Sequence, residues 1–169
     1  IAHECIAILS TPLLAPFLAE IRRRDEEWCG ALLHRLTRHL GWRVPRIRSQ
    51  RVNLSSAPAL YRRLMRGETI TLERLLRSPA DRSMALDCAV LYLERDDDDH
   101  RMTPAADEKL RPGDELLFAG TRRALEDVAL IFANEHTLEY ILTGRDLPGG
   151  RVWEMLAQRK HGKRSPQLP

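Results

Sequence analysis

Four consecutive aspartates, Asp96, Asp97, Asp98 and Asp99, and a long run of arginines are the groups in this 169-residue chain whose type and spacing suggest chemistry. Hard divalent cations take several carboxylate oxygens, so the aspartates are where the sequence would place calcium or magnesium. Consecutive carboxylates in a tight turn diverge, however, and the alternating D-x-D-x-D-G order of a preorganised calcium loop is absent. A solvated acidic turn is therefore the first reading and a weak metal site the second. His100, next in line, reads as an exposed strand residue rather than a ligand.

The arginines form the opposite field. No acid occurs between Glu27 and Glu68, whereas Arg35, Arg38, Arg43, Arg46, Arg48, Arg51, Arg62, Arg63 and Arg66 all fall there. Of these, Arg46, Arg48, Arg51, Arg62 and Arg63 are the candidates for a small anionic ligand such as a nucleotide. Because 24 of the 27 bases in the chain are arginine, general composition explains part of the run, and solvated or subunit-facing arginines are the plainer reading. Only Trp42 and Tyr61 interleave with it and no nucleic-acid module fits, so nucleic acid is not expected as a partner. From Asp81 to Glu115 eleven acids face five bases, which implies one positive and one negative surface and favours oriented self-association.

Catalytic constellations are missing from the sequence. It contains no G-x-S-x-G, no H-E-x-x-H and no phosphate loop. His34 and His39 lie five apart, which turns them roughly 140° from each other on a helix and away from a shared metal. Cys5, Cys29 and Cys88 form no C-x-x-C and read as small core fillers in a reduced compartment. Apolar runs such as Cys5 to Leu9 are far short of the roughly 18 residues of a membrane span. A non-enzymatic domain is expected. The chain opens on Ile1 without the marks of a signal peptide and reads as a fragment of a longer cytoplasmic protein.

The elements that position these groups follow from periodicity and caps. Residues 1–41 read as a helical arm: Ser10 or Thr11 as a cap ahead of Pro12, a break near residues 22–27, Asp25 as a second cap and Gly41 as the end. Along it Phe17, Leu18, Ile21, Trp28, Leu32 and Leu36 recur at helical spacing, a stripe expected to serve as a two-fold interface. Residues 42–48 alternate like an edge strand containing Pro45. A short helix is expected over residues 57–65, then a brief strand at 69–72 leading into 73–76. Residues 85–94 form the most apolar strand, expected to be buried on both faces, with a return strand closed by Pro104. Pro112-Gly113 predicts a type II turn. Beyond it come a second buried strand over 115–120, a helix capped by Thr121, a strand at 138–142, an amphipathic helix at 151–160 and a disordered tail at 161–169. The expected fold class is α+β, a small mainly antiparallel sheet with covering helices.

One order of elements carries a resemblance. A buried strand ending in Glu94-Arg95, an acidic hairpin, Pro104 and then Leu110-Arg111-Pro112-Gly113-Asp114-Glu115-Leu116-Leu117-Phe118-Ala119-Gly120 before a helix resembles the C-terminal lobe of regulator of potassium conductance (RCK) domains, the TrkA-C type. Leu110, Gly113, Asp114, Leu116 and Gly120 fit that family's L-x-x-G-D-x-L-x-x-x-G pattern, over about a quarter of the chain. The arm before Gly41 looks like the family's crossover and dimer helices, and the stretch from Tyr140 to Trp153 like an extension found in bacterial potassium-channel proteins. No G-x-G-x-x-G follows a strand, so the nucleotide-binding lobe is absent from this sequence.

The resemblance implies a 1–41 crossover arm, a TrkA-C-like lobe over 42–135 and a strand-helix extension over 136–160. It further implies a regulatory (gating) domain of a potassium channel or related transport protein, homodimeric or part of a larger ring, joined to a membrane pore domain on the same chain. Its location would be the cytoplasmic face of the bacterial inner membrane. A divalent cation or nucleotide would be the effector, though none is evident from these residues. The alternative is a nucleotide- or metabolite-sensing module of another cation transporter, an exchanger or a transcription factor.

Overall fold

The computed structural model describes residues 11–41, 44–95 and 99–145. Asp96, Asp97 and Asp98, the helix expected at 151–160 and the tail lie outside the described residues.

Among the described residues the arm consists of two helices, separated at the polar break. Helix α1 spans Leu14–Ile21 and has Leu13, not a side-chain cap, at its start. The expected hydroxyl cap is replaced by the main chain, since the Leu14 N–H donates to the Thr11 carbonyl at 3.0 Å. Helix α2, Glu26–Leu40, begins where the Asp25 carboxylate accepts the Trp28 N–H at 2.7 Å. It ends at Gly41, whose φ of 68° no β-carbon hinders.

The other described residues build four strands and four further helices. Strand β1 is Arg46–Arg51, followed by α3 (Pro58–Met65) and α4 (Leu72–Leu75). Strands β2 (Cys88–Glu94), β3 (His100–Met102) and β4 (Glu115–Gly120) precede α5 (Arg122–Ala133) and α6 (Glu135–Thr143). The strands pair antiparallel in the order β1-β4-β2-β3, so the two most apolar strands are central. The fold is α+β, as expected. The edge strand starts only after Pro45, because proline has no N–H to give a ladder. The strand expected at 69–72 is a single bridge between Thr71 and Lys109, with Leu72 already helical. At the front of β2, Ala85 makes only an isolated bridge with Arg77.

The strand expected at 138–142 is helix α6. Asn134 accepts the Thr137 N–H at 2.9 Å and Gly144 closes the helix with φ 78°, a pair of caps that belongs to a helix. Leu138, Ile141 and Leu142 repeat at three and four residues and are buried. They join the same hydrophobic cluster as Leu60, Leu72 and Phe132, so α6 is part of the main core.

Burial of both sheet faces is what the long apolar strands require. On one face Leu116, Phe118, Val90 and Leu93 pack under α3, α4, α5 and α6. On the other, Leu117, Ala119, Leu91 and Tyr92 meet Leu13, Phe17, Leu32 and Leu40 of the arm. Strand β4 alternates between the faces with strict period two. Strand β2 does not, because its register with β4 slips between Val90 and Tyr92, and this β-bulge turns both Leu91 and Tyr92 toward the arm.

Candidate functional site

Where β2 ends and β4 begins, the chain buries a cation among three carboxylates. Arg95, the residue after β2, is 6% exposed, and Asp114, just before β4, is 2% exposed. The Arg111–Asp114 turn places the acid: Gly113 takes φ 94°, the value that a type II turn requires after Pro112. The Asp114 N–H closes on the Arg111 carbonyl at 3.3 Å. The Asp114 carboxylate then accepts the Arg111 N–H at 2.9 Å and Arg95 Nε at 3.2 Å. Arg95 Nη2 donates to Glu108 Oε1 at 2.7 Å and to the Lys109 carbonyl at 3.0 Å, while Nη1 reaches Asp99 at 3.3 Å.

Electrostatics in this cluster are balanced rather than reactive. Burial opposes the Arg95 cation, but Glu108, Asp114 and Asp99 outweigh it and raise its pKa. Burial raises the Asp114 carboxyl, and the Arg111 N–H and Arg95 only partly offset this. Asp99 also answers to Arg101, at 3.4 Å, and although burial works against its charge, Arg101 and Arg95 hold its carboxyl below the usual range. The arrangement can pin the acidic hairpin and the β4 turn to one point. It offers no nucleophile.

Of the remaining motif positions, Leu116 and Gly120 lie along the same strand pair, with Gly120 at its opposite end. Leu110 and Leu116 are buried in the core. At Gly120 an added β-carbon would lie 2.6 Å from Cys88 Cβ, so the last position of the motif is where β4 and β2 approach too closely for a side chain.

The expected ligand groups are distributed differently from the sequence reading. Arg46 and Arg48 are exposed on β1, and Arg51 partners the Glu115 position of β4. Burial pushes the Glu115 carboxyl up, Arg51 draws it down, and Glu94 on its other side adds to the rise. Arg62 and Arg63 sit on α3 and are committed to carboxylates: Arg62 to Glu135 at 2.9 Å, and Arg63 to Glu139 and to Glu68 at 3.2 Å. The five arginines thus divide between an edge strand and a helix, and the helical pair fastens α6. Of the aspartate run only Asp99 is described, and it is held by Arg95 and Arg101. Among the described residues no group of three or more His, Cys, Asp or Glu is placed to hold a metal. His100 lies stacked on Tyr92 at 5.6 Å between ring centroids. Cys88 is a core residue whose thiol is pushed up to about 12, by burial first and then by Asp87 and Asp127, so it is inert. Phe17 and Leu32 of the arm stripe are buried against the sheet, with Ile21, Trp28 and Leu36 packed around them, and Leu18 is 42% exposed.

The sequence reading overlooked Arg74, Arg77 and Arg82, which line one concavity beside the end of α6. Their signal was present as three arginines within nine residues around a Pro-Ala-Asp loop, but it fell outside the acid-free stretch. No family model, curated protein or solved structure matches the chain. Among the described residues no helix is long and apolar enough to cross a membrane.

Proposed function

We propose that this chain is a cytoplasmic regulatory (gating) domain of a potassium channel or related potassium-transport protein, in which ligand occupancy or assembly is converted into force on a pore elsewhere in the full-length chain. The observation that carries this reading is the coherence of the residues behind the RCK resemblance. Arg95, Gly113 and Asp114 join the end of β2 to the turn before β4, and Gly120 forms the close crossing at the other end of the same strand pair. The helical arm lies across one sheet face and the helical layer across the other, so displacement of the arm is felt directly by the strands that carry the Arg95 cluster. A ligand shifts such a system only through different affinities for two arrangements of arm and lobe. Self-association, as a homodimer or a larger ring, belongs to the same proposal, as does a place at the inner face of a bacterial membrane.

The test is potassium flux through the full-length protein in liposomes, with the region of this chain present or deleted. Flux whose regulation disappears on deletion supports the reading. A full-length protein that carries no pore-loop segment with a T-x-G-Y/F-G filter and conducts no potassium overturns it.

A further inference from the structure

Beside the last turn of α6 lies a concavity of about 550 Å³, within the range of small-molecule sites. Arg74, Arg77 and Arg82 line it, together with Glu73, Ser83 and the Ile141–Leu142 end of α6. The neighbourhood differs from that of the arginines on α3 and at the end of β2. Arg62, Arg63 and Arg95 each meet a carboxylate. Among the described residues Arg74, Arg77 and Arg82 meet none, and their partners are main-chain carbonyls. Arg74 Nη2 donates to Leu142 O at 3.2 Å and Nη1 to Thr69 O at 3.5 Å. Arg82 Nε donates to Ile141 O at 2.9 Å. Arg77 reaches Glu73 O at 3.3 Å and Ser83 O at 3.5 Å.

Two consequences follow. A guanidinium has five N–H donors, so most of the donors of these three remain for something else. Three like charges in one hollow also repel, and an anion that bridges them relieves the repulsion. Arg82 is the most firmly anchored of the three: it lies over the Tyr140 ring at 6.0 Å and passes so close to Gly144 that a β-carbon there would meet its Nη1. The Arg82 guanidinium is thus held in place before any ligand arrives, which lowers its share of the ordering cost of binding. Planar forks suit phosphoryl oxygens, which accept two parallel hydrogen bonds.

We infer that the hollow formed by Arg74, Arg77, Arg82 and Ser83 is a binding site for the phosphoryl group of a phosphorylated small molecule. Among the lining residues Glu73 leaves two net positive charges, and Asp81, which accepts the Ser83 N–H at 2.9 Å and the Ser83 hydroxyl at 2.7 Å, adds one neighbouring carboxylate. This site lies apart from the Arg46 to Arg63 stretch, and it stands whether or not the chain gates a potassium pore.

Isothermal titration of the chain with inorganic pyrophosphate at low ionic strength reads the site. Saturable binding that weakens as salt is added is expected. Arg77→Gln removes one positive charge at the cost to the fold of only two long main-chain hydrogen bonds, and is expected to weaken binding about tenfold or more. Ser83→Asp places an internal anion among the arginines at an exposed position and is expected to abolish binding, with the circular dichroism spectrum unchanged. The double variant Arg46→Gln, Arg48→Gln is expected to bind as the parent does. The inference is overturned by an absence of saturable heat, by undiminished binding in folded Ser83→Asp, or by loss of binding in the β1 double variant.

Discussion

At the scale of single residues, the pairing of Arg95 with Asp114 is the feature on which most else depends. Both are buried, so removing one leaves the other charged and short of a partner. Asp114→Ala is expected to cost about 3 kcal/mol or more in urea unfolding. The double variant Arg95→Met, Asp114→Leu should cost clearly less than the sum of its singles; additivity within error would mean that the two do not couple. Gly120→Ala should cost about 1–3 kcal/mol, because the new methyl meets Cys88 across the ladder. The turn and the final glycine were legible in the sequence because backbone dihedrals dictate them: Pro112-Gly113 admits few conformations. The burial of Arg95 was not. An arginine beside four aspartates reads as a surface residue, and its deepest partner lies nineteen residues away.

Among the elements, α6 is both the clearest misreading and the best place for a pH test. Tyr140, Ile141 and Thr143 favour strands by type, and the helix shows in the Asn134 and Gly144 caps and in the spacing of Leu138, Ile141 and Leu142. Arg62 and Arg63 looked free for the same reason that Glu135 and Glu139 were overlooked, since these acids lie more than seventy residues away in sequence. Hydrogen bonding from Arg62 lowers the Glu135 pKa, and hydrogen bonding from Arg63 lowers that of Glu139. A carboxylate whose folded pKa is depressed stabilises the fold above its unfolded value and loses that contribution as pH falls through the folded value. Acidification below the ordinary glutamate range should therefore loosen α6 from α3, seen as faster amide exchange in residues 135–143 than in β4. Equal exchange in both would refute this. The arm offers a second element-scale expectation. Phe17 is 5% exposed and sits edge-on to Tyr92 at 6.3 Å. Phe17→Ala should cost about 3–5 kcal/mol and release α1 before the sheet melts, as reported by proteolysis within residues 11–25.

For the whole molecule, the apolar strands announced a sheet covered on both faces, but not which segment covers which face. The arm stripe read as an interface, and Phe17 and Leu32 prove to be buried on the chain's own sheet. Any pairing of two arms has to use the outward side, where Leu18 is 42% and Leu33 66% exposed. Sedimentation at micromolar concentration tests this: Leu33→Asp should convert a dimer to monomers without loss of stability, whereas Trp28→Asp should also destabilise the arm. A parent chain that is already monomeric removes the arm as an interface.

The bulge in β2 gives the sheet something like a reading frame. Each residue of β4 is in frame, one to each face in turn, and β2 keeps frame with it from Cys88 to Val90 and again from Tyr92 to Glu94. Leu91 is the residue out of frame. Deleting it would rejoin two stretches that already agree, with Val90 still opposite Phe118 and Tyr92 still opposite Leu117. Deleting Leu93 instead would throw Glu94 onto the wrong face beside Leu116. The chain should therefore fold without Leu91, losing mainly the grip of the arm, and fail to fold without Leu93. The two deletions differ in position by only two residues.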